Sequence, residues 1–132
     1  MAAVAAVLRQ QGKKRLEDMI ASSFDHPNIA RLQGHGVQVR TALLGRPGVP
    51  LVVLLRRALK DGHAGAHPHV TSLLSHPELI EAATRRGLAL AGWTVNGSED
   101  LRRLQHAGLH AAICDDPGAA RAALERPLVL AS

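Results

Sequence analysis

The chain has 132 residues, of which 46% are hydrophobic and 20% charged, and this balance excludes a disordered or fibrous chain and suits one globular domain. Only 2% of the residues are Phe, Trp or Tyr, so the core must be built from Ala, Leu, Val and Ile, and we expect marginal stability. The formal net charge is +5, but the basic residues are scattered and lack neighbouring aromatics for stacking, which argues against nucleic-acid binding.

Helix-like and strand-like segments alternate along the chain. The predicted helices have apolar periodicity bounded by glycine, proline or a capping residue, and they cover residues 2–11, 26–33, 51–60, 76–86, 99–107 and 117–126. The predicted strands are short apolar runs between turn residues, and they cover residues 19–24, 37–44, 64–70, 88–95 and 109–114. Five strands, each followed by a helix, predict an α/β fold with a parallel sheet.

Several helices carry start or stop signals. Asp25 and Asp116 each precede a proline in the first turn, so both are expected to act as N-caps. Ser75 begins the S-x-x-E pattern of a capping box, and Ser98 is expected to cap the helix that follows it. Pro127 is expected to end the last helix.

The single cysteine, Cys114, excludes an internal disulfide and slightly favours the cytoplasm. Residues 1–8 have no basic residue ahead of their short apolar run, which is not typical of a signal peptide. No stretch approaches the roughly 18 apolar residues of a membrane span. We therefore expect a cytoplasmic protein without a membrane span.

The histidine and cysteine side chains suggest two other kinds of site, a metal site and a thiolate nucleophile. His67 and His69 lie two residues apart on a predicted strand, a spacing that could begin a zinc or nickel site, but further ligands are not evident. We favour partly exposed histidines at a strand end. Cys114 is followed by Asp115 and Asp116, which disfavour a thiolate nucleophile, so a buried small apolar side chain is favoured there.

Three stretches resemble one family. Residues 22–25 (SSFD) at a strand end are similar to the S-F-D element of glycerophosphodiester phosphodiesterases. Residues 87–96 (GLALAGWTVN) resemble the late G-L-x-V-x-x-W-T-V-N strand of that family, and residues 108–117 resemble its closing G-(V/L)-D-x-I-x-T-D-x-P element. The resemblance covers about residues 8–124, and its W-T-V-N stretch is the specific part.

The family fold is a (β/α)8 barrel, and the resemblance implies that residues 1–132 are a single partial domain that supplies strands four to eight. The family's general acid and base histidines, and the carboxylates that hold its divalent cation (Mg or Ca), lie on the first three strands and have no counterpart here. We therefore expect no catalytic residue, no metal ligand and no cofactor within this chain. The first predicted helix also lacks a strand before it, which suggests that a preceding strand belongs to a missing part.

The resemblance also implies a function. The family hydrolyses glycerophosphodiesters, a small-molecule lipid-derived substrate, to glycerol 3-phosphate and an alcohol, and hydrolysis by this chain alone is not expected. Alternatives are a non-catalytic binding module and a gene fragment that retains only the end of the substrate pocket. Phe24 and Trp93 are expected at the carboxyl ends of strands, where they either line the pocket that receives glycerol or fill core space. Asn96 either hydrogen-bonds a ligand or shapes the turn with Gly97.

Five parallel strands cannot close an eight-stranded barrel, so two sheet edges remain open. The expected edges are residues 19–23 and 109–114, and neither run carries Lys or Arg to discourage pairing between chains. We expect self-association through these edges, as nonspecific aggregation rather than an ordered dimer.

Overall fold

The computed structural model describes residues 1–125, in which helices and strands alternate around one sheet. The strands are β1 (Ile20–Ser23), β2 (Arg40–Leu44), β3 (Gly65–His67), β4 (Ala89–Gly92) and β5 (Ala111–Ala112). The helices are α1 (Ala2–Arg9), α2 (Lys13–Glu17), α3 (His26–Gly34), α4 (Leu51–Lys60), α5 (Val70–Ser75), α6 (Glu78–Arg85), α7 (Ser98–His106) and α8 (Pro117–Glu125). Within residues 1–125, none of the helices is long and apolar enough to cross a membrane.

The sheet has the order β1-β2-β3-β4-β5, and every neighbouring pair is parallel. Each strand is joined to the next by one or two helices, because parallel neighbours require a crossover connection. The predicted α/β class and the five parallel strands in chain order are therefore confirmed. The additional short helices α2 and α5 were not predicted.

The two faces of the sheet differ in what covers them. Leu43, Ala66 and Leu90 lie in register on one face, where they are at most 1% exposed and belong to the helix-covered core. Alternate side chains point to the opposite face, which we call the inner face. Its residues are Ile20, Ser22, Arg40, Ala42, Leu44, Gly65, His67, Ala89, Ala91 and Ala111. Ile20 is 40% exposed there, so no helix of residues 1–125 covers that part of the inner face.

Strand β3 is shorter than the predicted strand over residues 64–70. It ends at His67 because Pro68 has no N–H to donate to a ladder. His69 then acts as the N-cap of α5, with its ring Nδ1 accepting a hydrogen bond from the Thr71 N–H at 3.3 Å. His69 therefore starts a helix at a position where the sequence predicted that the strand would continue.

Two predicted caps are confirmed. The Asp25 carboxylate accepts a hydrogen bond from the Asn28 N–H at 3.0 Å and begins α3. The Asp116 carboxylate accepts one from the Ala119 N–H at 2.9 Å at the start of α8. Pro127, expected to end the last helix, lies outside the described residues.

Two other predicted caps are wrong. Ser75 is the last residue of α5, and its hydroxyl donates to the Thr71 carbonyl at 2.8 Å instead of capping the next helix. Ser98 is already the first residue of α7, and Gly97 takes the N-cap position without a side-chain bond. Ser75 lies two residues before the N-cap position of α6 at Pro77, and Ser98 lies one residue after that of α7 at Gly97.

Candidate functional site at the carboxyl ends of the strands

The carboxyl ends of parallel strands meet at one edge of the sheet, which we call the carboxyl rim. Residues one to three positions beyond the strand ends place polar and aromatic side chains along it: Phe24, Arg46, His69, Trp93 and Asp115. In α/β barrels this edge is where loops build ligand sites. The carboxyl rim is therefore the candidate binding surface of residues 1–125.

Phe24 and Trp93 contact each other across the sheet. Their ring centroids are 5.3 Å apart with an interplanar angle of 73°, an edge-to-face pair. They follow β1 and β4, which would be about 14 Å apart in a flat sheet because neighbouring strands lie about 4.8 Å apart. The contact fits a curved sheet, in which both rings converge over the concave inner face.

Trp93 is held in place from two sides. Its indole Nε1 donates a hydrogen bond to the His67 carbonyl at 3.0 Å, which gives this half-buried side chain the polar partner that it needs. The His69 ring packs edge-on against the indole, with centroids 4.9 Å apart. These contacts fix the ring against the sheet and leave part of it exposed.

Phe24 is 36% exposed, and a cation lies over its ring. The Arg46 guanidinium carbon is 4.6 Å from the ring centroid, a cation–π arrangement. The carboxyl rim thus presents aromatic surface beside a positive charge, which suits a ligand with an apolar part and an anionic part.

Sequence reasoning did not single out Arg46, and it considered His69 only as a metal ligand. Each lies two residues beyond the end of its strand, at Leu44 and His67 respectively. This position in the carboxyl-end loops was the signal that could have identified them. Their contacts with the aromatic pair depend on the curvature of the sheet, which the sequence does not display.

The side chain of Asn96 forms its hydrogen bonds with Asp115 rather than with the aromatic pair. Its amide Nδ2 donates to the Asp115 carboxylate at 2.7 Å, and its Oδ1 accepts from the Asp115 N–H at 3.0 Å. It links the loop after β4 to the loop after β5.

Together with Cys114, Asn96 lines a surface cavity of about 320 Å³ beside α7 and α8. Cys114 is half-buried, so the expectation of a buried cysteine is wrong.

The acidic side chains of the carboxyl rim are already engaged. Asp115 is bonded to Asn96, and Asp116 caps α8. Among residues 1–125, no three His, Cys, Asp or Glu side chains come together in a way that could hold a metal ion. His67 and His69 likewise have no third ligand in this part of the chain. These residues do not fit a divalent cation, nor do they fit the zinc or nickel site considered from their spacing.

Two histidines are buried, which corrects the expectation that His67 is partly exposed. His63 is 6% exposed, and the Thr41 hydroxyl lies 2.8 Å from its Nδ1 while accepting a hydrogen bond from Gln33. Burial lowers the pKa of His63, and the Asp61 carboxylate opposes this effect only in part. His67 is 7% exposed with its Nδ1 buried and unpartnered, and burial lowers its pKa as well. Burial therefore favours the neutral form of both rings in the folded chain.

These two pKa values predict that stability falls as the pH is lowered. The unfolded chain binds protons at the usual histidine pKa near 6.5, whereas the folded chain binds them only at lower pH. The stabilisation is present above about pH 6.5 and is lost as the pH falls toward the folded pKa values. Urea unfolding should give a lower free energy of unfolding at pH 5.5 than at pH 7.5.

Variants at two histidines separate this effect from general acid sensitivity. His67→Gln should reduce the difference between the two pH values, because it removes one of the buried titrating groups. His106→Gln, at an exposed position on α7, should leave the difference unchanged. Equal unfolding free energies at both pH values for the original chain would contradict the prediction.

Comparison with known proteins agrees with this fold. A family described as "Glycerophosphoryl diester phosphodiesterase family" matches residues 1–119. A glycerophosphodiester phosphodiesterase from Caldanaerobacter subterraneus subsp. tengcongensis is 33% identical over 101 residues, which are 76% of this chain. A candidate glycerophosphoryl diester phosphodiesterase from Silicibacter pomeroyi DSS-3 superposes over 93% of this chain with a TM-score of 0.77 and 28% identity. An Oleispira antarctica phosphodiesterase, solved with the product sn-glycerol-3-phosphate, has a TM-score of 0.77 over 95% of this chain at 20% identity.

The chain is shorter than these relatives. It spans 40% of the Caldanaerobacter protein, 42% of the Silicibacter chain and 49% of the Oleispira chain. The solved relatives are TIM barrels, so the five parallel strands correspond to part of such a barrel. With a family match over residues 1–119 and a matching fold, this chain belongs to the glycerophosphoryl diester phosphodiesterase family.

Proposed function

We propose that the inner face at the carboxyl rim is the glycerol-binding part of a glycerophosphodiester phosphodiesterase site. The observation that carries this proposal is the aromatic pair of Phe24 and Trp93, which meets over the concave face with Arg46 beside it. Phe24 and Trp93 supply apolar surface for the carbon chain of glycerol, and Arg46 supplies positive charge for a phosphate. Asn96 shapes the rim through Asp115 rather than touching the ligand.

The whole reaction is proposed for a longer protein of which residues 1–132 form one partial domain. Family resemblance implies hydrolysis to glycerol 3-phosphate and an alcohol with a bound divalent cation, which would polarise the phosphoryl group. Because residues 1–125 do not fit such a cation, we place its ligands and the proton-transferring histidines outside this chain. Purified chain incubated with glycerophosphocholine and Mg²⁺ or Ca²⁺ should release no glycerol 3-phosphate, and metal-dependent release would overturn this assignment.

A second candidate function is a binding module that acts without turnover. It is favoured by one observation: the chain spans less than half of each of three relatives, yet it retains the aromatic pair at the carboxyl rim. Both candidates require the rim to bind a glycerol phosphate. Sequencing upstream of the Met1 codon for in-frame codons of the family's general acid and base histidines and cation-holding carboxylates separates a binding module from a fragment of a longer gene.

Binding can be followed through Trp93, because it is the only tryptophan of the chain. Titration with sn-glycerol 3-phosphate should change its fluorescence, with a Kd of about 1 mM for so small a ligand. Phe24→Ala should weaken binding by about 5- to 10-fold, since it removes one wall of the site and the platform under Arg46.

Val53→Ala is the matched control for this titration. Val53 is 55% exposed on α4, whose buried residues pack on the opposite face of the sheet from the aromatic pair, so its truncation should leave the Kd unchanged. An unchanged Trp93 spectrum throughout the titration, in a chain shown to be folded by circular dichroism, would reject glycerol phosphate binding at the carboxyl rim.

A further inference from the structure

Helix α4 exposes apolar side chains on its outer surface. Val52, Val53 and Leu59 are 39%, 55% and 37% exposed, although the opposite side of the same helix is buried in the core. Helix α4 connects β2 to β3, and each of these strands has a neighbour on both sides. The outer surface of α4 is therefore exposed independently of the two open edges of the sheet.

The same surface is basic. Arg56, Arg57 and Lys60 are exposed on α4, which contains no acidic residue. Arg57 forms an ion pair with Asp61. Arg56 and Lys60 have no ion-pair partner within residues 1–125. Two of the three positive charges of α4 are therefore available to a second molecule.

A groove lies on either side of α4. The groove toward α6 has a volume of about 210 Å³, and Val52 and Arg86 help to line it. The groove toward the start of α3 has a volume of about 340 Å³, and Val53 and His26 help to line it. Helix α4 therefore forms a ridge between them. We call the exposed residues of this surface the α4 ridge: Val52, Val53, Arg56, Leu59 and Lys60.

The carboxylates of the neighbouring helix α6 do not neutralise the α4 ridge. The Glu81 carboxylate is 3.3 Å from the Arg85 guanidinium. The Glu78 carboxylate is 3.1 Å from the His76 ring. The whole chain also has a positive sign, with a formal net charge of +5. The charge of the α4 ridge is therefore complementary to an anionic partner.

The size of the α4 ridge decides which anionic partner it fits. A helix of 10 residues is about 15 Å long. Its three exposed apolar side chains do not supply the roughly 800 Å² that each partner contributes to a standard protein–protein interface. A lipid surface needs no such area or shape complementarity. Apolar side chains enter the boundary between headgroups and acyl chains, while Arg and Lys reach the lipid phosphates with their long side chains.

We infer that the α4 ridge is a docking surface for an anionic phospholipid bilayer. Its three apolar side chains enter the boundary between headgroups and acyl chains, and Arg56 and Lys60 bind lipid phosphates. Few side chains take part, so the binding is weak and reversible. The loop that carries Arg46 leads into α4, so a docked bilayer lies near the carboxyl rim.

Flotation on a density gradient tests this inference, because vesicle-bound chain rises while aggregated chain sinks. Vesicles of phosphatidylcholine and phosphatidylserine in equal parts should carry the chain upward, with half of it bound at about 1 mM accessible lipid. Vesicles of phosphatidylcholine alone should bind it at least about fivefold more weakly, since they lack net negative charge. About 0.5 M NaCl should release the chain from the anionic vesicles, because salt screens exposed charges. Chain that sinks with both kinds of vesicle, or that binds both equally, would overturn the inference.

Charge variants place the contact on α4. Arg56→Gln should weaken binding to the anionic vesicles by about fivefold, since each basic side chain near a lipid surface contributes about that factor. Arg103→Gln makes the same change at an exposed position of α7, which packs against α5 and α8, and should stay within about twofold of the original chain. Equal losses for the two variants would indicate diffuse attraction through the net charge and would contradict docking through α4.

Apolar variants separate a bilayer from a purely electrostatic partner. Val53→Ser removes apolar surface that enters the lipid and should weaken binding by about two- to fivefold. Val7→Ser makes the same change at a valine of α1 that is 59% exposed, and it should leave binding unchanged. A loss with Arg56→Gln but none with Val53→Ser would assign the α4 ridge to an acidic polypeptide or a similar polyanion, and it would overturn bilayer docking.

This inference goes beyond glycerol phosphate binding and fails separately from it. Flotation needs no sn-glycerol 3-phosphate, so an unchanged Trp93 spectrum would reject the proposed function while leaving bilayer docking intact. A chain that binds sn-glycerol 3-phosphate but sinks with the anionic vesicles would reject the α4 ridge alone.

Discussion

Leu90→Ala is expected to lower the free energy of unfolding by about 2–5 kcal/mol, whereas Ile20→Ala should lower it by less than about 1 kcal/mol. Both positions are apolar strand residues, but they lie on opposite faces of the sheet. Leu90 is 1% exposed among helix side chains, so its truncation leaves a cavity in a packed core. Ile20 is 40% exposed on the inner face, so little burial is lost.

Urea unfolding followed by circular dichroism measures both values under the same conditions. The core has few aromatic side chains, so a loss of this size at Leu90 removes a large fraction of the total stability. Comparable losses at the two positions would mean that the inner face is covered in solution. In that case Ile20 is buried by another contact, for instance with a second copy of this chain.

Gly65→Ala is expected to lower the free energy of unfolding by about 1–3 kcal/mol. A Cβ at this position would overlap the backbone carbonyl oxygen of Ala89 on the neighbouring strand. The obstacle is backbone rather than a flexible side chain, so relief requires β3 and β4 to move apart. That movement would weaken the hydrogen bond from the Ala89 N–H to the Ala64 carbonyl, which is 3.0 Å long.

Gly34→Ala is the matched control, since it makes the same chemical change at the end of α3. No heavy atom outside its immediate neighbourhood lies within 4 Å of a Cβ there. Alanine has the higher helix propensity, so this variant should be neutral or stabilising by up to about 1 kcal/mol. A destabilised Gly34→Ala chain, or a fully stable Gly65→Ala chain, would show that the close approach of β3 and β4 is not what limits substitution.

For the candidate site, the sequence was sufficient to place Phe24 and Trp93 at strand ends, because both belong to short motifs that resemble a family. It was not sufficient to predict that Arg46 covers Phe24 or that His69 packs against Trp93. Those contacts join loops that follow different strands, and they depend on how strongly the sheet curves. Whether Phe24 and Trp93 bind a ligand remains a prediction that the fluorescence titration tests.

The sequence by itself determined the five strands along the chain, their alternation with helices and the caps at Asp25 and Asp116. Each of these depends on local chemistry: apolar runs between glycines and prolines, and an acidic side chain just ahead of a first-turn proline. The family resemblance rested on equally local patterns, and the match over residues 1–119 confirms it.

Only the tertiary structure decided which side chains are buried, which potential caps are used, and where β3 ends. His63 and His67 are buried although polar, and Ser75 bonds to its own helix instead of capping the next. Such outcomes are set by long-range packing, because several local arrangements of similar energy compete until the rest of the sheet selects one. The tertiary structure also decides which face of the sheet stays open, since a strand's apolar pattern does not reveal which of its faces the helices will cover.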